Sequence, residues 1–274
     1  MAIILIVAST RDEASMNIRR QLLANYDFLE STETFCGRKI FEKTIKGSQV
    51  RLVTIDEEPI YYQAVAEDFD PQLAVFISRH SSKSGTPTLS VHTPGNLAQA
   101  QKGGIPKKVS IAPAAAMKEA LLELARQKAR LSLSYEVSYE CTHHGPSLDV
   151  PAMFVELGSS PAQWKDQSAA DAVAHAAMAS ISKTTTSWTA VVGIGGPHYN
   201  KKFTRFAVEG SYAFGHIIPK YAVSQIDARI VKQCVDRTME RVRAIILDWK
   251  GIKGADKATL AQMVGEAGVE VQKI

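Results

Sequence analysis

Apolar runs and amphipathic runs alternate along this chain of 274 residues. Runs rich in Val, Ile and Leu predict strands at Ile3–Ala8, Val50–Ile55, Leu73–Ser78, Val109–Ala112, Leu133–Tyr139, Met153–Leu157 and Trp188–Ile194. Several lack polar alternation, as strands buried on both faces do. Between them, apolar residues at three- and four-residue spacing predict helices over Ser15–Asn25, Ala114–Arg130, Ser168–Ser182 and Gln225–Lys250. The last stripe is the clearest. Ile226, Ile230, Val231, Cys234, Val242, Ile245 and Ile246 keep the helical spacing, and Gly251 supplies a stop. Alternation of this kind predicts an α/β fold, with a mostly parallel twisted sheet and helices on both faces. No repeat or long linker divides the chain, so 1–274 is expected to form one domain. Residues 81–106, rich in Gly, Pro and Ser, read as a loop-rich excursion.

The polar motifs occupy the ends of the apolar runs. "SRHSSKSGTP" follows Leu73–Ser78, "ECTHHGPSLD" follows Leu133–Tyr139, "ELGSSP" follows Met153–Leu157, and "GIGGPHYNKK" follows Trp188–Ile194. In an open parallel sheet the carboxyl ends of the strands form the ligand crevice. If these strands run parallel, His80, His143, His144, Glu156 and His198 are expected to converge on one rim from distant parts of the chain. A lone His at a strand end is more often a hydrogen-bonded structural residue, and Glu156 reads equally as a carboxylate buried against a cation. The His143 and His144 pair is less ordinary, because neighbours in a strand point to opposite faces. Gly145 and Pro146 make a turn there that brings both rings to one side. His175, four residues after Asp171, reads as a surface ion pair.

Composition narrows the chemistry. Cys36, Cys141 and Cys234 are widely spaced, so neither a disulfide framework nor a thiolate zinc site is supported, and any metal must be held by His and carboxylate. The candidate ligands are His80, His92, His143, His144, His198, His216, Asp149 and Glu156. No apolar run is long enough to span a bilayer, and a soluble, intracellular protein is expected. A net charge of +4 is compatible with a polyanionic partner without requiring one. There is no Gly-x-Ser-x-Gly for a serine nucleophile. Cys141 next to two His suggests a thiolate, but it closes an apolar strand, where a buried inert Cys is commoner. Hydrolysis by an activated water remains, with His and carboxylate acting directly or through a metal. Gly195 and Gly196 are candidate main-chain donors to an oxyanion. Arg79, Lys83, Lys201, Lys202 and Arg205 are candidate phosphate contacts, although a solvated surface explains them equally.

Four blocks, "SRHSSKSGTPTLSVHTPGN", "YECTHHGPSLDVPAMFVELGSS", "VVGIGGPHYNKKF" and "YAFGHIIPKYA", together resemble the archaeal and plant type of D-aminoacyl-tRNA deacylase over nearly the whole chain. The resemblance implies hydrolysis of the ester between a D-amino acid and the 3′ end of tRNA. It also implies zinc dependence, a cytoplasmic location and a fold similar to peptidyl-tRNA hydrolases and nucleoside phosphorylases. On that reading His80, His143, His144, Glu156 and His198 are catalytic, with the four histidines as zinc ligands. Glu156 or Asp149 would meet the α-ammonium of the substrate. The expected partner is the acceptor end of D-aminoacyl-tRNA, without DNA or membrane, bound by a monomer. Two other readings stay open on the residues: a zinc-dependent peptidase or amidohydrolase, and a non-catalytic RNA-binding module.

Overall fold

The structure is a computed structural model that describes residues 2–182 and 187–274. In chain order the first strands are β1 (Ile3–Ser9), β2 (Leu29–Phe35), β3 (Arg38–Ile45), β4 (Ser48–Ile55), β5 (Leu73–Arg79) and β6 (Thr88–His92). They are followed by β7 (Glu136–Tyr139), β8 (Ala152–Gly158), β9 (Thr189–Ile194), β10 (Tyr212–Ile218), β11 (Ala244–Leu247) and β12 (Glu270–Lys273). The helices are α1 (Glu13–Asn25), α2 (Val65–Phe69), α3 (Ala114–Arg130), α4 (Pro161–Trp164), α5 (Gln167–Ser182), α6 (Lys201–Glu209), α7 (Ala228–Asp236) and α8 (Lys257–Gly265).

Eight strands form one sheet in the order β2-β3-β4-β1-β5-β8-β6-β7, and four form a second in the order β10-β9-β11-β12. The second is parallel throughout; in the first, β4, β1, β5 and β8 run parallel while β6 opposes β8. The two-residue alternation of a strand explains the unbroken apolar runs. In β1, Ile6 and Ala8 face a core with α1, α3 and α5, whereas Leu5 and Val7 face the opposite layer with Tyr62, Val65, Leu148 and Val150. That second layer is thin, supplied by the short α2 and by loops, which leaves room on the sheet face carrying Phe76 and Phe154. The first core extends without interruption into the second sheet through Val191, Phe214 and Ile246.

The structure corrects three expectations. The stripe over 225–250 is not one helix: α7 ends at Asp236 and Ala244–Leu247 is a strand. All four of its residues are buried because β11 lies between β9 and β12 with apolar layers on both faces. Residues contiguous on a helical wheel are equally compatible with a strand buried on both sides. Val109–Ala112 forms isolated bridges rather than a strand. The excursion at 81–106 contains the fully buried β6, whose Leu89 and Val91 enter the core.

Ile246, fully buried at the centre of β11, ties the second sheet to the first core. Ile246→Ala is expected to lower unfolding stability by about 2–5 kcal/mol, as for other large-to-small core changes. Denaturant unfolding followed by circular dichroism checks it; a loss below 1 kcal/mol would mean the second sheet does not share the core.

Candidate active site

The imidazoles and carboxylates meet on the open face of the large sheet. Glu156 on β8 lies beside Ser78 on β5 and opposite Ser90 on β6, and His92 lies opposite Phe154. His80 follows β5, its N–H bonded to the Leu157 carbonyl. Glu140 follows β7, held by a bond from its N–H to Val91 O at 3.0 Å. The second sheet delivers His198 by main-chain pairing: Cys141 N–H donates to His198 O at 3.0 Å and Asn200 N–H to Tyr139 O at 2.9 Å. His144 has a φ of +42°, a left-handed turn that folds the chain back. The rings of His143 and His144 therefore sit 4.3 Å apart on one side.

His80, His143, His144, Glu156 and His198 thus come together, but not on a single parallel rim. Strands β6 and β7 oppose β8. Antiparallel pairing sets the carboxyl end of β6 against the first half of β8, with His92 opposite Phe154, so the site lies over the sheet face rather than at one rim.

Glu140 sits at the centre. It is 1% exposed, with Oε1 3.1 Å from His80 Nδ1 and Oε2 2.8 Å from His198 Nε2 and 3.6 Å from His143 Nε2. Burial opposes its ionisation, but His80 and His198 outweigh burial and hold its pKa well below the carboxylate range. Burial likewise opposes charge on His80, yet Glu140 and Glu156 push it up to about 11. His198, opposed by burial and favoured by Cys141 and Glu140, is pushed up to about 10. Burial, then neighbouring imidazoles, drive His92 and His143 well below 6.5; burial takes His144 to about 4. Burial raises Glu156, whose Oε1 accepts from Ser78 Oγ at 2.6 Å.

Ring-nitrogen partners sort the histidines. His80 is engaged at Nδ1 by the carboxylates and at Nε2 by the Tyr199 hydroxyl. His198 is engaged at Nε2 by Glu140 and at Nδ1 by Cys141 Sγ (3.2 Å) and the Tyr221 hydroxyl (3.3 Å). His143 and His144 instead donate Nδ1–H to main-chain carbonyls, of Cys141 at 2.8 Å and Gly145 at 2.6 Å. Their Nε2 atoms point into the cluster, the arrangement typical of a metal-ligating imidazole. Ser90 Oγ and His92 Nδ1 are buried there without a hydrogen-bond partner. Ligand atoms of His92, His143 and His144, and of His92, Glu140 and Glu156, lie within 4.8 Å of one another. The cluster can hold a metal ion.

Two cavities open onto it. One, of 260 Å³, is lined by Asp12, Glu58, Tyr61 and Glu156 among others; the other, of 450 Å³, lies between residues 95–102 and Tyr221 to Gln225. His143, His144 and Lys102 line both.

The D-aminoacyl-tRNA deacylase family profile matches residues 67–272. A D-aminoacyl-tRNA deacylase of Pyrococcus furiosus is 38% identical, covering 98% of both chains. One of Methanosarcina acetivorans is 33% identical over 98% of this chain and 92% of its own. The crystal structure of a conserved protein of unknown function superposes with a TM-score of 0.88 at 31% identity, over 99% of this chain and 95% of that one. The chain belongs to the D-aminoacyl-tRNA deacylase family.

Other expected residues are placed differently. Gly195 N–H donates to Ile218 O at 2.8 Å, so it is not a free oxyanion donor. Its φ of +116° serves the turn that Asn200 closes by donating to Gly195 O; Gly196, at φ +73°, completes that turn. Asp149 is bound by Lys108 and Arg237 outside both cavities, and His216 is buried on Thr142. His175 pairs with Asp171 as expected, at 3.6 Å. Arg79 is clamped by both oxygens of Glu58 at 2.8 Å. Lys201, Lys202 and Arg205 lie on α6, paired with Glu136, Asp248 and Glu209. Lys83 is exposed, without an ion pair among the described residues. Sequence reading passed over Glu140 and Tyr199 altogether. Each flanks a singled-out residue, but no spacing marks either.

Glu140→Gln tests the centre. In metal-free protein the titrations of His80 and His198, followed by NMR, should both move down toward 6.5. Because the folded values are raised, their stabilisation is complete below 6.5 and is lost as pH rises through about 10 and 11. The stability deficit of the variant should therefore be largest near pH 6.5, shrink steadily as pH rises from there and level off by about pH 11. A deficit constant across that range would assign the two shifts to another group.

Proposed function

We propose that this cluster hydrolyses the ester joining a D-amino acid to the 3′ end of tRNA, with a zinc ion held by residues among His92, His143, His144 and Glu140. The observation that carries the reading is a set of buried atoms left without partners. His143 aims Nε2 inward, His144 Nε2 meets only the imidazole nitrogen of His92 at 3.3 Å, and Ser90 Oγ and His92 Nδ1 find no hydrogen bond. Such groups cost roughly 1–3 kcal/mol each when unsatisfied, which a ligand would recover. Nitrogen and carboxylate donors suit zinc. His80 and His198 use both ring nitrogens elsewhere and serve better around the ion than on it.

A bound zinc would polarise a water and stabilise charge on the ester carbonyl. The chain's own groups then divide the proton work. Glu156 Oε2 is free of Ser78 and placed to take the water proton. Its burial-raised pKa brings it toward the range a general base needs. His80 Nδ1, 3.3 Å away, is placed to pass a proton on to the departing ribose oxygen. Glu140 positions His80 and His198. The cations of α6 are ion-paired, but the pairs of Lys201 and Arg205 lie at the surface, where such pairs are worth only about 0–1 kcal/mol, so phosphates can displace their partners.

A second reading has one observation behind it. Cys141 Sγ, His198 and Glu140 stand in line, as nucleophile, base and orienting carboxylate do. Against it, Cys141 is fully buried and lines neither cavity.

Matched D- and L-tyrosyl-tRNA separate the possibilities. The D ester should be cleaved several hundredfold faster, corresponding to about 3–4 kcal/mol for a misplaced side chain or unpaired ammonium. His143→Ala and Glu156→Ala should each lose at least 100-fold in kcat. Cys141→Ala should keep more than a tenth of wild-type activity; loss equal to that of Glu156→Ala would establish the thiol mechanism. Equal rates on the two enantiomers would overturn the proposed activity. Turnover that ignores salt between 50 and 200 mM would favour a small-molecule peptidase or amidohydrolase, since phosphate contacts weaken steeply in that range. Separately, prolonged chelation should abolish activity and zinc restore it, with elemental analysis as the check. Full activity in metal-free protein would remove metal from the mechanism.

A further inference from the structure

The two cavities that meet at His143 and His144 differ in their linings. The smaller carries three carboxylates, Asp12, Glu58 and Glu156, with Arg79, His80 and, at the shared wall, Lys102. Glu58 is tied to Arg79, and Asp12, 1% exposed, accepts from the Arg79 and Ser15 N–H groups. With His80 held charged, carboxylates and cations balance there, and the carboxylates are what set this cavity apart. The larger cavity has no carboxylate in its lining. It offers instead the exposed amides of Gln99, Gln101 and Gln225 and the half-exposed ring of Tyr221. Lys102 on its wall and Lys220 beside Pro219 form no ion pair among the described residues.

An aminoacyl ester on tRNA has the opposite asymmetry. One side of the bond is a small cation, the amino acid with its α-ammonium. The other is a nucleoside with a planar base, attached to a phosphate chain. Carboxylates within a few ångströms attract the first and repel the second. Amide side chains suit the edges of a base, and an exposed aromatic ring suits its face.

We propose that the two cavities divide the substrate: the 260 Å³ carboxylate-lined cavity takes the amino acid, and the 450 Å³ amide-lined cavity takes the terminal nucleoside of tRNA, with the ester lying over His143 and His144. This rests on the deacylase reading but can fail without it. The amino-acid side chain then lies against Tyr61 and Ser81, which makes these two exposed residues the determinants of side-chain preference. The phosphate chain leaves past Lys102 and Lys220.

Binding of two non-hydrolysable probes to the zinc-loaded protein tests the division. Adenosine 5′-monophosphate stands in for the nucleoside and D-tyrosinamide for the aminoacyl group; neither contains an ester, so binding is read independently of turnover. Gln99→Trp should weaken the nucleotide at least tenfold and leave D-tyrosinamide unchanged. Ser81→Trp should do the reverse. Both positions are exposed, and far-ultraviolet circular dichroism confirms folding; Gln225→Trp and Tyr61→Ala repeat the two arms on other residues. In the wild type the probes should bind together. Mutual competition would place both in one cavity and overturn the proposal, as would exchanged effects of the two tryptophans. Failure of either probe to bind the wild type at millimolar concentration would overturn it as well. If both bind as proposed but the D ester is not cleaved, the deacylase reading fails while the division stands.

Discussion

A fully buried carboxylate within reach of three imidazoles governs this site. Isolated in the interior, the charge of Glu140 would cost several kcal/mol, and the residue would protonate instead. His80 and His198 reverse that outcome from opposite oxygens, with His143 alongside. The three arrive from β5, from the end of β9, and from the turn after β7, so the charge balance is satisfied only when both sheets are docked. Removing one partner leaves the others exposed to the desolvation they now offset. The chemistry and the joining of the two sheets therefore rest on the same contacts.

The large sheet makes that arrangement possible by leaving one face lightly covered. On the face of Ile6 and Ala8, helices α1, α3 and α5 exclude water; on the other, only α2 and loops pack against Phe76 and Phe154. Those two rings stack 4.7 Å apart, and Phe154 also supports His92 and His144. The floor of the site is thus apolar and its ceiling polar. That low-dielectric setting strengthens each charge interaction and makes each unpartnered atom more costly. It accounts for the contrast between imidazoles held charged by carboxylates and others kept neutral a few ångströms away.

Much of the scaffold was legible from the sequence because burial on both faces leaves a simple mark. The runs at β1, β4, β5, β8 and β9, and helices α1, α3 and α5, are read from hydrophobicity alone. Strands β2 and β3 escaped because they are exposed and polar. The only local signal for them lies in the two-residue turns Cys36-Gly37 and Lys46-Gly47, all four at positive φ. Strand β11 was hidden for the opposite reason, since four consecutive apolar residues fit a helical stripe as well as a buried strand.

The same division holds for the site. Sequence alone determined which chemistry was available: imidazoles and carboxylates at the ends of apolar runs, no thiolate pairs, and blocks resembling a deacylase family. His80, His143, His144, Glu156 and His198 could be named because they interrupt or close such runs. What it could not decide was which atoms face one another. That depends on β6 and β7 opposing β8, on the left-handed turn at His144, and on the second sheet bringing His198 to Glu140. These are contacts between residues up to 119 positions apart, as for His80 and Tyr199. A local pattern records whether a residue is buried, but not what it is buried against. Only the folded chain could therefore separate the imidazoles that pair with carboxylates from those that point inward with a nitrogen to spare.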